Sequence, residues 1–477
     1  MNKYISTTLP YANSIPHMGH ALEFIQASAL QRFFKDIQKE SVFFNVGVDE
    51  NGLKVYSKAK EEGIDTQVFL DSLANKWIQF CKMFEIEYDN FYRTTSPIHH
   101  EKVKQFWNDS MERGDLYKKS YTGSYCQGCE SFKTDSDLID GKCPEHGIEP
   151  IITSEENWFF KIEKHKGLLI GWFEANKKEF LIPQNKVDEL FNIILKAEDI
   201  SVSRLKKNVP WGVEVPGDPD QVIYVWFEAL LNYIFAPDVD FHPSGAYFKS
   251  KYFIQICGPD NLRFQGSLFQ TILLSANLPN TKKLLVHGTI LDADGKKMSK
   301  TMGNVIDPVL QLEKYGLDAV RYYALAGLST TGNGSWSEVD LVKLYNNDLA
   351  DNYGNLIARV LHLVDIKNIE YDYTKVDNAY VYELSKKFAS VEIAWENFNI
   401  NEALKETNAI VKSVNKYIND TTPWAEGSDY VQILNTVSQV LELITKFYFP
   451  VLSTETYTKI MKALQSRKKE IIFVKLK

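Results

Sequence analysis

Apolar residues recur at two periods along this chain, and each change of period marks an element. Residues 4–8 are short and rich in β-formers, and Pro10, Asn13, Ser14 and Pro16 then break the chain into a loop. Over 18–39 the apolar positions Leu22, Ile25, Ala29, Leu30, Phe33 and Phe34 fall at helical spacing. Residues 41–46 (SVFFNV) form a compact apolar run ended by Gly47. Strand, loop, helix and strand make a βαβ unit, which predicts a parallel sheet.

The strand pattern returns at 222–226 (VIYVW), 252–257 (YFIQIC) and 283–287 (KLLVH), with a helical stretch at 262–276. The sheet is therefore expected in two halves, with a Cys-rich insertion at 115–220 between them. In an open parallel sheet, ligands bind at the carboxyl ends of strands where the strand order reverses, which points to the loops after Thr8 and Cys257. From Ser337 onward helical periodicity dominates, over 339–364, 379–397, 401–419 and 431–449, with Pro423 and Pro450 as punctuation. Ser337 and Asp340 make an N-cap pair at the entrance to this stretch, which reads as a separate helical bundle.

At 477 residues the chain exceeds one core, and about three domains are expected. No apolar run reaches membrane-spanning length, and the N-terminus lacks signal-peptide or transit-peptide character, so a cytoplasmic location is expected. A net charge of -8 argues against nonspecific coating of nucleic acid but leaves room for a local basic face. The basic end, SRKKEIIFVKLK, reads as a solvated tail ahead of a nucleic-acid contact. Of five cysteines, Cys126, Cys129 and Cys143 crowd together, which fits a metal site in a reducing compartment better than disulfides.

Four clusters carry candidate chemistry. In Pro16-His17-Met18-Gly19-His20, two histidines at i and i+3 share one face of a helix start. Gly19 permits close backbone approach, and the helix N-terminus favours a phosphoryl group. Two surface histidines near a cap, or a metal pair, are the alternatives. In the stretch from Asp294 to Asn304, lysines Lys296, Lys297 and Lys300 and the hydroxyls of Ser299 and Thr301 lie between glycines. Such ammonium groups can neutralise a polyphosphate, although an exposed basic loop is the ordinary reading. Cys126-x₂-Cys129 and Cys143-x₂-His146 are two ligand pairs at the spacing of one tetrahedral Zn²⁺, closed by protein on all four sides and hence structural. In the helical half, Asn355 and Arg359 share a face, and Asn415 to Asp420 runs on to Pro423-Trp424.

His-x-Gly-His after the first strand, with Lys-Met-Ser-Lys far downstream, resembles the class I aminoacyl-tRNA synthetases, with Met18 and Thr301 as mild changes from the family's His-Ile-Gly-His and Lys-Met-Ser-Lys-Ser. Within that class the chain is similar over nearly its whole length to the methionyl-tRNA synthetases. The matching segments are Thr8-Leu9-Pro10-Tyr11-Ala12-Asn13, the run Val225 to Tyr233, and Val286-His287-Gly288. The resemblance implies an α/β fold: a split Rossmann-like parallel-sheet catalytic domain (1–114 and 221–290) with a zinc-containing connective insertion (115–220). A lysine-loop region (291–336) and an α-helical anticodon-binding domain (337–477) follow.

It further implies a methionine site of Leu9, Tyr11, Asp49, Trp226, Ala229, Leu230, Tyr233 and His287. An aromatic and aliphatic pocket suits an unbranched thioether, and Asp49 would pair with the substrate ammonium. The ATP site would comprise His17, Gly19, His20, Gly258, Asp260, Lys297, Ser299 and Lys300, with His17, His20, Lys297 and Lys300 catalytic. Asn355, Arg359 and Trp424 would read the anticodon, the ring by stacking and the polar groups by base edges. The implied partners are L-methionine, Mg²⁺ with ATP, and methionine-accepting tRNA, the implied cofactor one structural Zn²⁺ held by Cys126, Cys129, Cys143 and His146, and the expected state a monomer. The chain departs from the family at Asn51 (usually His), Glu228 (usually Asp), Pro259 (usually Lys) and Gln265 (usually His). These departures motivate one alternative, a catalytically weakened relative that binds nucleotide or tRNA without charging.

Overall fold

The computed structural model describes residues 2–126, 131–133, 138–144, 147–237, 252–296, 298 and 303–477. Its centre is a six-stranded sheet of β1 (Asn2–Ser6), β2 (Ser41–Val48), β3 (Asn90–Arg93), β4 (Leu181–Ile182), β5 (Tyr252–Cys257) and β6 (Lys283–Val286). The order is β3-β2-β1-β5-β6-β4 and every pairing is parallel. β1 is enclosed on both sides, and Tyr4 stacks on its neighbour Phe253 at 4.3 Å between ring centroids. The order reverses between β1 and β5. Their carboxyl ends, at Ser6 and Cys257, therefore open the crevice that the sequence pattern predicts.

Helix α1 (Met18–Arg32) connects β1 to β2 and is buried on nearly every side. Apolar residues occupy much of its surface, and Glu23, Gln26, Gln31 and Arg32 are buried among them, as in a helix sandwiched between two layers. The expected helix to residue 39 ends at Arg32 and runs into a wider turn, Phe33–Ile37. Arg32 at its last turn donates to the Leu452 carbonyl at 2.8 Å, tying α1 to the helical half. Arg321, fully buried, donates to the carbonyls of Phe84, Pro450 and Val451 at 2.9–3.0 Å across the same junction.

Two expectations need correction. The run 222–226 is not a strand of the parallel sheet. Asp218–Ile223 pairs antiparallel in a separate three-stranded sheet, and Val225–Glu228 is a helical turn begun by Phe227 and Glu228 N–H bonds to the Tyr224 carbonyl. Aromatic and β-branched residues favour strands only where a pleated surface receives them; here Phe227 packs on Trp107 and Phe160 instead. Nor is the basic C-terminal stretch a solvated tail. Phe473 is buried against Tyr345 and Tyr353, the Asn346 side chain pairs with both backbone groups of Leu476, and Lys475 meets Asp351 at 2.7 Å.

Between the sheet halves, a long antiparallel hairpin of Leu116–Cys126 and Ile151–Phe160 carries the Cys-rich segment at its tip. The helix Ile162–Phe180 then returns to the main sheet, where β4 becomes its edge strand. The helical half comprises Glu338–Leu344, Asn355–Ile366, Asn378–Glu396, Ile400–Thr421, Tyr430–Tyr448 and Thr454–Ser466. Ser337 caps the first of these, its Oγ accepting from the Asp340 N–H at 3.2 Å. Among the described residues no helix is long and apolar enough to cross a membrane.

Candidate active site

The crevice between β1 and β5 holds a cavity of about 340 Å³. Each of Leu9, Tyr11, Asp49, Trp226, Ala229, Leu230, Tyr233 and His287 lines it, together with His17, Gly19, His20, Gly258 and Asp260. Lys297, Ser299 and Lys300 lie outside the described residues, but Met298 between them and Val305 beyond them reach the cavity.

Tyr11 and Asp49 are brought together by the backbone. The loop after β1 continues to pair with β2, through Asp49 N–H to the Pro10 carbonyl and Ala12 N–H to the Asp49 carbonyl, both 2.8 Å. On the facing wall Trp226 stacks on Phe264 at 3.8 Å and meets the Tyr11 ring edge-on at 6.0 Å. Tyr233 is buried, and its hydroxyl accepts from Gln265 Nε2 at 2.8 Å. Gln265 in turn accepts from Gln255 at 2.7 Å, so the glutamine at this departure from the family pattern fixes the phenol's orientation. Burial pushes the Tyr233 pKa up, so the phenol stays protonated.

His17 and His20 form a reciprocal cap on α1. His17 Nδ1 accepts from the His20 N–H at 3.3 Å, His20 Nδ1 accepts from the His17 N–H at 3.4 Å, and the rings stack at 3.7 Å. The rings therefore stand side by side at the positive end of the helix. Gly19 acts differently from the expectation of ligand approach alone: a Cβ there would stand 2.9 Å from His17 Cε1, so the glycine makes room for the ring. Both Nδ1 atoms of the pair are thus engaged in the cap.

Glu23 was not anticipated. It lies on the face of α1 that carries His17 and His20, three residues further on, and that spacing was the available signal. Its Oε1 accepts from the Thr8 N–H and hydroxyl, both at 2.6 Å, and its Oε2 lies 3.0 Å from His287 Nε2. His287 Nδ1 donates to the Gly288 carbonyl at 2.8 Å, which fixes the ring. A Cβ at Gly288 would stand 1.9 Å from the Gly332 carbonyl oxygen, so only glycine allows that backbone to close beneath His287. Downstream, the Asp292 carboxylate accepts from Lys296 N–H at 2.8 Å and Asn304 Nδ2 at 2.7 Å, pinning both ends of the lysine-bearing stretch.

Away from the crevice, Cys126 and Cys143 are fully buried together at the hairpin tip, apart from the three larger cores. Cys129 and His146 lie outside the described residues. In the helical half Arg359 lies over the Trp424 ring at 5.2 Å and donates to Asn419 Oδ1 at 2.6 Å. Trp424 is half exposed (49%), which rules against a buried core tryptophan. Asn355 sits one turn before Arg359 and donates to the Asp351 carbonyl.

The family model described as tRNA synthetases class I (M) matches residues 3–149 and 136–361. The methionine--tRNA ligase of Caldanaerobacter subterraneus subsp. tengcongensis is 34% identical, covering 89% of this chain and 67% of its own length. That of Thermosynechococcus vestitus is 32% identical over 95% of this chain and 88% of its own. The chain belongs to the class I methionyl-tRNA synthetase family. Another family member, the Mycobacterium tuberculosis methionyl-tRNA synthetase in complex with methionyl-adenylate, superposes with a TM-score of 0.87 at 30% identity, covering 96% of this chain and 93% of that one. Among methionyl-tRNA synthetases, this one is therefore alike in fold along nearly its whole length.

Proposed function

We propose that this synthetase joins L-methionine to methionine-accepting tRNA in two steps. A methionine carboxylate oxygen attacks the α-phosphorus of ATP, the bond to the β-phosphate breaks, and pyrophosphate leaves. A ribose hydroxyl at the 3′ end of the tRNA then attacks the adenylate carbonyl, loses its proton, and AMP departs. One observation carries this reading: the eight side chains assigned to methionine and the stacked histidines open on a single cavity at the sheet's switch point.

The geometry supports the following roles. Asp49 faces the substrate ammonium, while Trp226, Ala229, Leu230 and Leu9 enclose the thioether chain. Tyr233 and His287, each fixed by a side-chain or backbone partner, present oriented polar atoms to the same space. His17 and His20 hold the phosphate region, aided by the helix end beneath them. Gly258 and Asp260, on the turn after β5, flank the nucleotide. Lys297, Ser299 and Lys300 follow the strap pinned by Asp292 and would neutralise the departing pyrophosphate. Rate enhancement then comes from positioning and charge, with no covalent enzyme intermediate. Mg²⁺ enters with ATP and shields its phosphates.

We assign the catalytic roles to the parts around the central sheet and anticodon reading to the helical half, through Asn355, Arg359 and Trp424. The exposed Trp424 ring, backed by a guanidinium, suits an unstacked base. The donor set at the hairpin tip fits one structural Zn²⁺. Cys126 and Cys143 are buried in one small cluster, and Cys143 sits in a tight turn closed by the Gly147 N–H at 2.7 Å. With Cys129 and His146 they would hold the ion and lock the tip of the hairpin.

Methionine-dependent ATP–pyrophosphate exchange tests the reading, run beside each other amino acid and beside Lys300→Ala. Exchange with methionine alone, at least tenfold lower in the variant, is expected. Exchange with another amino acid would refute the methionine pocket, and none at all would favour a relative that binds without charging.

A further inference from the structure

Behind the cavity, and not lining it, Glu228 sits fully buried with both oxygens engaged. Oε1 accepts from Asn51 Nδ2 at 2.9 Å, and Oε2 lies 2.5 Å from His99 Nε2. His99 Nδ1 is 2.9 Å from the Tyr92 hydroxyl. Asn51 Nδ2 also reaches the Thr94 carbonyl at 3.2 Å, and the Thr94 hydroxyl stands 3.4 Å from Asp49 Oδ1. Asn51 Oδ1 has no hydrogen-bond partner among the described residues, so the amide is held by its NH₂ side alone. One chain of bonds thus joins the wall that carries Trp226, Ala229 and Leu230 to the wall that carries Asp49.

The protons in that chain can be placed. Among the described residues the only ion-pair partner of Glu228 is His99, and both are fully buried. The neighbouring charges are committed or remote: Arg93 on β3 binds Glu50 at 2.8 Å and Asp71 at 2.7 Å, and Lys102 lies on the helix of His99 and disfavours its protonation. Asp49 and Glu50 just beyond β2, Tyr92 on β3 and His100 beside His99 are the further titratable groups around the network. An ionised carboxylate there would be buried among neutral donors, a costly arrangement. The cheaper state keeps the proton on Glu228, donated to Nε2 of a neutral His99 whose Nδ1–H serves Tyr92. Burial acts in that direction on both groups, pushing Glu228 up to about 8 and His99 down to about 3.

We propose that Glu228, as a neutral acid, is a positioning residue for methionine activation, setting the spacing between the Trp226–Leu230 wall and Asp49 through Asn51 and Thr94. The inference rests on the methionine-activating reading above. It also joins two of the departures from the family pattern. Asn51 is shorter than the usual histidine, Glu228 is one methylene longer than the usual aspartate, and the two are bonded to each other. They form a matched pair.

The test is ATP–pyrophosphate exchange as a function of pH and of methionine and ATP concentration, for wild type, Glu228→Gln, Glu228→Asp, Asn51→His and the double Asn51→His/Glu228→Asp. Glutamine can donate to His99 and accept from Asn51, so Glu228→Gln is expected to keep at least a third of kcat/KM and to lack the alkaline fall expected of wild type near pH 8. Glu228→Asp is expected to raise the methionine KM at least tenfold with the ATP KM within twofold. The double variant should return it to within threefold of wild type. Additive losses in the double variant, or a Glu228→Gln protein that is unfolded or more than thirtyfold impaired, would overturn the proposal. A wild type without methionine-dependent exchange would instead defeat the functional reading. In that case the matched pair is read from thermal unfolding of the same variants: recovery of the melting temperature in the double supports it and additive losses overturn it.

Discussion

Alanine at position 19 separates catalysis from stability. A Cβ there stands 2.9 Å from His17 Cε1 and 3.1 Å from its Nδ1, so the ring must move by at least a few tenths of an ångström. That ring stacks on His20 at 3.7 Å and accepts its N–H at 3.3 Å. Losing the cap bond costs about 1 kcal/mol, and alanine's helix preference over glycine returns up to about 1 kcal/mol, so the unfolding free energy should change little. The catalytic effect is larger, because displacing a positioned group by about 1 Å costs on the order of 100-fold. Gly19→Ala is expected to lower kcat for exchange by roughly 10- to 100-fold, about 1.4 to 2.7 kcal/mol. The methionine KM should stay within about twofold, because the contacts around Trp226 are untouched. Exchange kinetics and calorimetry on the same preparation measure both effects. A variant that turns over within threefold of wild type, with an unchanged melting temperature, would refute the idea that His17 acts by its position.

Three further outcomes are expected. Arg321→Leu leaves the carbonyls of Phe84, Pro450 and Val451 buried without their donor and should destabilise by about 3–5 kcal/mol, measured by urea unfolding. Cys126→Ser should reduce bound zinc, measured by atomic emission, from one equivalent toward none. Stability should also report the buried acid. Glu228 is raised from 4.5 to about 8, so its contribution is fully present below about pH 4.5 and lost as pH climbs toward 8. His99, lowered from 6.5 to about 3, contributes stability that grows between those values, so the two oppose each other up to about pH 6.5. A fall in urea midpoint between about pH 6.5 and 8, absent in Glu228→Gln, is the expected signature.

Much of the crevice was legible because its residues lie in short motifs next to strand ends, where the chain leaves β1, β2, β5 and β6. The parallel sheet and the helical half were likewise visible in the change of period. Features set by distant packing were not. Strand β4 is only two residues long and gains its place from β6. The run VIYVW has the composition of a strand, yet only Val222 and Ile223 are in one, and the chain turns helical from Val225, where Trp107 and Phe160 receive Phe227. Glu23 is one of several polar positions on α1, and nothing local reveals that Thr8 and His287 converge on it. The C-terminal stretch docks through one aromatic ring, two hydrogen bonds to Asn346 and one ion pair, too small a signal in sequence to outweigh its run of charge.

Helix α1 has its two ends in different halves of the molecule. Its first turn carries the histidine pair, and its last turn is anchored by Arg32 to the Leu452 carbonyl. Fifteen residues make a strut about 22 Å long. A tilt of about 5° at the anchored end would sweep the histidines through about 2 Å on that length, more than the displacement that spoils an aligned reaction. The buried arginines therefore set an alignment tolerance: they fix the angle at which the helical half is mounted, and with it the aim of the catalytic rings.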